Sequence, residues 1–395
     1  MSAKPLSIPR LPVISWRYFF DRRRSELPSV LAAGDVLPTT SGRAAIALAL
    51  RAIGCRAGDR VLVPTYHCPT MVAPIAALSA VPVFFPIDDE GRARLDWLPD
   101  EAWLGIKAAI VPHYFGIPRE MAGVRNLCDA HGVALIEDCA HAFFGRAQGR
   151  PIGSWGDYAI GSLTKFFPVT EGGCLVSARA HLPRLALGTR PNTVSLRVLA
   201  DALEIAVTHG RLKGLGMLLA PAYRAKQRLR GLHQQSPQPA APLSLDEARA
   251  RACQDFAADA QPFRRIAAAA WRLVRAGGSG RIVERRQQNY RWLGQRLAGL
   301  RGARPMQADP GPDAAPYVFP LWVDDADAVY QAVRASGVPV FRWDDRWPQT
   351  PTLVRDAGGA WSHHVFQIGC HQDLADSDLE WIARALERLI DGPRG

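Results

Sequence analysis

The chain has no run of 18 apolar residues, so no membrane-spanning helix is expected. It has no C-x-x-C pair. Its seven cysteines (55, 68, 128, 139, 174, 253 and 370) are scattered and odd in number, which points to reduced thiols rather than a disulfide framework. No DNA-binding helix-turn-helix and no internal repeat is present, so neither a nucleic-acid partner nor a solenoid is indicated. The G-x-G-x-x-G turn of a dinucleotide fold does not follow the first strand. The stretch Leu11 to Phe20, broken by Pro12 and Arg17, does not make a signal peptide, and a cytoplasmic location is expected. No metal site is expected.

The 395 residues are 48% hydrophobic and 22% charged, enough for a sizeable core in two domains. The expected division is a large domain over 1–262 and a small one over 263–395. Net charge is +11, and it is uneven. Between His181 and His233 stand nine basic residues (Arg184, Arg190, Arg197, Arg211, Lys213, Arg224, Lys226, Arg228 and Arg230) against only Asp201 and Glu204. A basic stretch of this kind suits an anionic partner or a solvated helical face, and a weak membrane-surface contact is one expectation for it.

From residue 40 the chain alternates helical and strand-like segments. Ser41-Gly42-Arg43 opens a helical run, Ala44 to Ile53, ended by Gly54. Short apolar runs follow at Arg60 to Pro64, Val81 to Phe85, Ala108 to Val111, Val133 to Ile136, Tyr158 to Ser162 and Cys174 to Ser177. Such runs, alternating with helices, predict an α/β fold with a mostly parallel sheet covered on both faces. Helices are predicted at Val194 to Val207 and Glu284 to Leu300, with the C-terminal part reading strand, helix, strand, strand, helix. Ser377-x-x-Glu380 is read as the capping box of the last helix.

Ligands of such folds lie at the carboxyl ends of the strands. There fall Tyr66-His67-Cys68, His113, Asp138, His141, Ser162 and Lys165. A carboxylate at one strand end and a lysine 27 residues on, at the end of the next, is what pyridoxal phosphate requires. The lysine condenses with the cofactor aldehyde, and the carboxylate keeps the ring nitrogen protonated. The helix start at Gly42-Arg43 offers free N–H groups to a phosphate. The Ser162 hydroxyl can join them, and His141 can reach the phenolic oxygen. Tyr66, His67 and Cys68 are expected over the ring.

These segments resemble the DegT/StrS-type sugar aminotransferases, within the aspartate-aminotransferase-like fold type I enzymes. The resemblance rests on Ser41-Gly42-Arg43, Gly58-Asp59-Arg60, Pro82-Val83-Phe84, Pro112-His113-Tyr114-Phe115-Gly116, Ile136 to Ala142, Gly156-Asp157, and Lys165 with Glu171-Gly172-Gly173. It implies a fold type I sheet with a smaller C-terminal α/β domain, and a homodimer. Lys165 would be the cofactor-bearing acid/base and Asp138 the partner of the ring nitrogen. It also implies amino transfer, with glutamate as donor, to a keto-sugar, nucleotide-linked, in surface-polysaccharide or secondary-metabolite biosynthesis. Four departures bear on this, the first being that two residues are missing between Ser162 and Lys165. His141 stands where the family has a glutamine, and Cys68 stands at the aromatic stacking position. The basic insertion 185–242 replaces the motif that follows Gly173. A non-sugar aldehyde or ketone, or a non-catalytic cofactor-binding regulator or membrane-surface protein, are the alternative readings.

Overall fold

A computed structural model describes residues 8–219 and 263–392, with a few isolated positions between them. Seven strands build the main sheet: β1 (Asp35–Thr39), β2 (Arg60–Pro64), β3 (Val81–Phe85), β4 (Ile106–Pro112), β5 (Ala134–Asp138), β8 (Tyr158–Ser162) and β9 (Gly173–Ser177). Between β5 and β8 lies a small hairpin, β6 (Arg146–Ala147) and β7 (Arg150–Pro151). The order in the sheet is β1-β9-β8-β5-β4-β2-β3. Pairs from β3 to β8 are parallel, whereas β9 runs antiparallel to both β8 and β1.

Alternation along each strand explains the apolar runs. Leu62, Ala109, Leu135, Ala159 and Val176 enter one core; Val61, Val63, Ala108, Ile110, Ile136, Ile160 and Leu175 enter another on the opposite face. Both faces are covered, so most strand positions are apolar and a buried polar one such as Glu137 must find hydrogen-bond partners. The helix Gly42–Ala52 buries every residue from Ala44 to Leu50, which is why small alanines alternate with Ile46, Leu48 and Leu50.

A second sheet, entirely antiparallel, has the order β10-β11-β13-β12, from Ala303–Pro305, Val318–Val323, Val365–Gly369 and Val340–Phe341. The helix Ser279–Leu297 takes part in both cores. Ile282 and Val283 join the large core, and Tyr290, Leu293 and Leu297 join the small one. Helix Ala268–Ala276 also packs into the large core, through Ala270, Leu273 and Val274.

The capping box of the last helix differs from the expectation. The helix Asp376–Leu386 starts earlier, with Ala375 as its N-cap. Asp378, not Glu380, reaches back to accept from the Ala375 N–H at 2.8 Å, while Glu380 pairs with Arg384 at 2.8 Å. The basic stretch is partly neutralised: Arg190 pairs with Glu171, Arg197 with Asp201 and Arg211 with Asp378. Arg224, Lys226, Arg228 and Arg230 lie outside the described residues.

Candidate active site

The cavity at the carboxyl edge of the main sheet has a volume of about 220 Å³. Gly42, Arg43, Cys68, Asp138, His141, Ser162 and Lys165 all line it, together with Ser41, Thr70, His113, Tyr114, Thr164 and Trp343. Residues from six chain segments therefore converge on one space, because the parallel strands end together. Pro112 of β4 is in register with Asp138 of β5, and Asp138 with Ile160 of β8.

The end of the cavity at the helix start is built from three turns packed on one another. Ser41 caps the helix Gly42–Ala52, its Oγ accepting from the Ala44 N–H at 3.1 Å. Behind it runs Glu171-Gly172-Gly173. A Cβ on Gly173 would lie 2.3 Å from the Ser41 carbonyl carbon, so only glycine lets β9 approach the helix start. Gly172 donates to the Thr40 carbonyl (2.8 Å) and accepts from Leu163 N–H (3.0 Å), with φ at +134°. That bond ties the lysine turn Leu163–Lys165 to the helix N-terminus. Gly42 and Ser162 adjoin there, a Cβ on the glycine lying 3.6 Å from that of the serine. A positive helix end, the Ser162 hydroxyl and Arg43 thus line one end of the cavity, a set that suits a phosphate.

Asp138 is buried, and its Oδ1 accepts from the Ala140 N–H at 2.8 Å. Burial raises its pKa, against the opposing pull of that N–H, of Lys165 and of His113. A cation placed in the cavity beside it would reverse the shift. Lys165 is half-buried with Nζ 5.0 Å from the centre of the Tyr317 ring. Burial lowers the pKa of its amine, while Cys68 and Asp138 act in the other direction. The His141 pKa is pushed well below the usual imidazole value, by burial first and by Lys165 second. Its Nδ1 accepts from the Phe115 N–H (3.4 Å), which leaves Nε2–H as a donor. Its ring lies 4.6 Å from Tyr317 and 5.0 Å from Trp343. The pyridoxal phosphate donor set is thus present: an amine, a carboxylate short of a cation, an imidazole donor and an anion cradle.

Two expected residues lie elsewhere. Tyr66 is fully buried, with its ring against Tyr114, Trp343 and Trp361 and its hydroxyl accepting from Gln367 Nε2 at 3.0 Å. His67 points away from the cavity. It stacks on Phe84, while Nδ1 bonds the Pro64 carbonyl and Nε2 accepts from the Trp347 N–H. Its pKa falls to about 4, chiefly through burial. Of the three consecutive residues only Cys68 lines the cavity, because successive side chains leaving a strand end point in different directions.

Arg286 is a further residue of the site, outside the expected set. Its guanidinium is fully buried and donates to Lys165 O (2.6 Å), Pro316 O (2.8 Å) and Gln372 Oε1 (2.8 Å), while lying over the Phe166 ring at 4.3 Å. Gln372 Nε2 donates in turn to Phe166 O at 2.9 Å. Burial lowers the Arg286 pKa to about 10. Arg286→Met should cost about 3–5 kcal/mol in urea unfolding, because the carbonyls it satisfies stay buried without donors. A loss below about 1 kcal/mol would show that the lysine turn is held by something else.

Glu137, next to Asp138, serves the fold. Oε1 accepts from Gly153 N–H (2.6 Å) and Oε2 from Trp155 and Gly156 N–H (2.9 and 3.2 Å). His113 Nδ1 accepts from Arg119 N–H, so its Nε2 is the donor to Glu137 Oε1 at 2.9 Å. The ligand atoms of His113, Glu137 and Cys139 lie within 4.8 Å of one another, but these hydrogen bonds already occupy the imidazole and the carboxylate. Burial raises the Glu137 pKa, yet His113 and the N–H groups outweigh it and the net shift is downward. Its stabilisation is therefore present above the unfolded carboxylate pKa of about 4.3 and is lost as pH falls through the lower folded value. Glu137→Gln should lose about 2–4 kcal/mol at pH 7, with the gap to the parent narrowing in acid. An equal gap in urea melts at neutral and acid pH would refute this role.

The sequence model of the DegT/DnrJ/EryC1/StrS aminotransferase family matches residues 24–187. A UDP-N-acetyl-3-dehydro-alpha-D-glucosamine 3-aminotransferase of Acidithiobacillus ferrooxidans is 37% identical over 164 residues, 38% of this chain and 42% of that protein. An L-glutamine:scyllo-inosose aminotransferase of Streptomyces griseus is 31% identical over 196 residues, 48% of this chain and 46% of its own length. The chain thus spans less than half the length of these curated relatives. Among solved structures, Helicobacter pylori PseC, an aminotransferase involved in the biosynthesis of pseudoaminic acid, aligns over 98% of this chain and 100% of its own. The TM-score is 0.61 and the identity 14%, a likeness of fold.

Proposed function

With residues 24–187 matching the DegT/DnrJ/EryC1/StrS aminotransferase family, we propose that the protein is a pyridoxal-phosphate-dependent aminotransferase acting on a keto-sugar. The acceptor is nucleotide-linked, the donor is glutamate or glutamine, and the product serves surface-polysaccharide or secondary-metabolite biosynthesis. The observation that carries this reading is the convergence of Lys165, Asp138 and the Gly42–Ala52 helix start on one cavity. Pyridoxal phosphate, when bound, supplies an aldehyde for amine exchange and a cationic ring that takes up electron density from the substrate carbon. The chain supplies the rest. Lys165 offers an amine whose lowered pKa lets it lose and regain a proton at Nζ. Asp138 holds positive charge at the ring end, and His141 donates from Nε2. Ser162, Arg43 and the helix N–H groups fix the phosphate.

The working form is a cytoplasmic homodimer in this reading, and no described helix is long and apolar enough to cross a membrane. Matching stops at residue 187, at the start of the basic insertion, which supports a choice of acceptor by residues outside the matched part. Incubation with nitrogen-labelled glutamate or glutamine and a panel of nucleotide-linked keto-sugars, keto-inositols and simple aldehydes tests the reading. Label should move to a nucleotide-linked keto-sugar. Transfer only to simple aldehydes would replace the sugar acceptor, and transfer to none would sink the enzyme assignment.

A further inference from the structure

We propose that the face carrying Trp16, Phe20, Met217 and Leu218 docks onto an anionic lipid surface, independently of the chemistry assigned to the cavity. The short helix Trp16–Phe20 is held by its inner side: Tyr18 is buried and its hydroxyl donates to the Leu273 carbonyl at 2.6 Å. Trp16 and Phe20, four residues apart, share the outer side and are 45% and 78% exposed. The Trp16 indole N–H donates to the Lys213 carbonyl at 3.2 Å, which brings the helical residues 215–219 alongside. There Met217 and Leu218 are 81% and 79% exposed. Single exposed apolar residues are common, but two aromatics and two long aliphatics on joined segments form a patch with a use.

Charge identifies the occupant. Arg17, Arg22, Arg24 and Lys213 are exposed around these side chains, and among the described residues none pairs with a carboxylate. Among the described residues, Arg22 donates to the Ala276 carbonyl. Arg23 is neutralised by Asp21 at 2.7 Å and Glu284 at 2.9 Å, which leaves Glu26 as the exposed acid of the segment. A second copy docking by a two-fold axis would set this patch against itself, cations facing cations. A lipid surface with anionic headgroups instead meets the arginines with phosphate while the indole, phenyl, Met and Leu side chains enter the acyl boundary. No described helix can span the bilayer, so the contact is peripheral.

The test uses the full chain with its cofactor and sedimentation with vesicles of phosphatidylglycerol and phosphatidylcholine, or of phosphatidylcholine alone. The protein should pellet with the anionic vesicles at roughly 50 mM salt and stay in solution at roughly 500 mM, where charge is screened within a few ångströms. Combined Arg17→Glu, Arg24→Glu and Lys213→Glu should lower the partition coefficient about a hundredfold. Phe20→Ser with Met217→Ser and Leu218→Ser should lower it at least about tenfold. Both variants should keep the parent Tm and oligomeric mass. Three results overturn the proposal: no binding to anionic vesicles at low salt, undiminished binding by both variants, or a fall in oligomeric mass in the serine variant, which would make this face a protein interface.

Discussion

Lys165→Ala should abolish amino transfer, by about 10⁴-fold or more, and leave the folded protein intact. The second half of that expectation follows from the burial of the amine. Burial lowers the pKa of Lys165, so the charged form is worse accommodated in the fold than in the unfolded chain. A lysine with a folded pKa below its unfolded value opposes folding at neutral pH, and removing it relieves that opposition. Cofactor-free Lys165→Ala should therefore melt at or above the temperature of its parent. The loss of activity has a separate readout. Borohydride treatment of the cofactor-loaded parent should add the mass of a reduced pyridoxal phosphate group to the peptide containing Lys165, and no peptide of the variant should gain it. Mass added at another lysine, or activity surviving in the variant, would remove Lys165 from its role and with it the cofactor assignment.

What the sequence could disclose follows from which forces are local. β2, β3 and β8 are read to the residue because both faces of the sheet are dry and the apolar run ends where the strand does. β1 gives no strand signal because Pro38 argues against one; it is tolerated there because β1, among the described residues, is an edge strand paired with β9 alone. The short helix Gly358–His364 begins with two glycines and gives no start signal, yet Gly358 is needed, since a Cβ would lie 2.2 Å from Thr65 Oγ1. In the site, Asp138, Ser162 and Lys165 were legible because strand ends converge by topology alone. Arg286 was not, because its partners lie 30, 31, 86 and 121 residues away and all but Gln372 are backbone carbonyls, which have no sequence signature. Trp343 was missed for a related reason: it comes from the loop after β12, and nothing local says that the small sheet leans over the cavity. Three adjacent candidates at 66–68 could not be separated without knowing how the chain leaves β2.

Asp138→Asn should separate catalysis from stability more sharply than any other substitution in the site. Asparagine keeps the shape and the acceptor for the Ala140 N–H. It removes the charge. In the cofactor-free protein burial raises the Asp138 pKa, so the native state binds more protons than the unfolded state between the two values. Stability is then lost as pH rises through that window, and the deficit persists at pH 7. The asparagine variant has no such deficit, so without cofactor it should be at least as stable as the parent at pH 7 and gain nothing at pH 4. With cofactor the order reverses. The carboxylate and a protonated ring nitrogen stabilise each other in a site with little water, and the variant loses that pair. Turnover should fall about 10³-fold, and the cofactor should raise the Tm of the variant less than that of the parent. A variant that loses stability without cofactor would mean that Asp138 holds the fold, as its neighbour Glu137 does. One that keeps full turnover would mean that the ring nitrogen is protonated from elsewhere. Only the combination of a stable empty site and a crippled loaded one fits a carboxylate placed there for a cation.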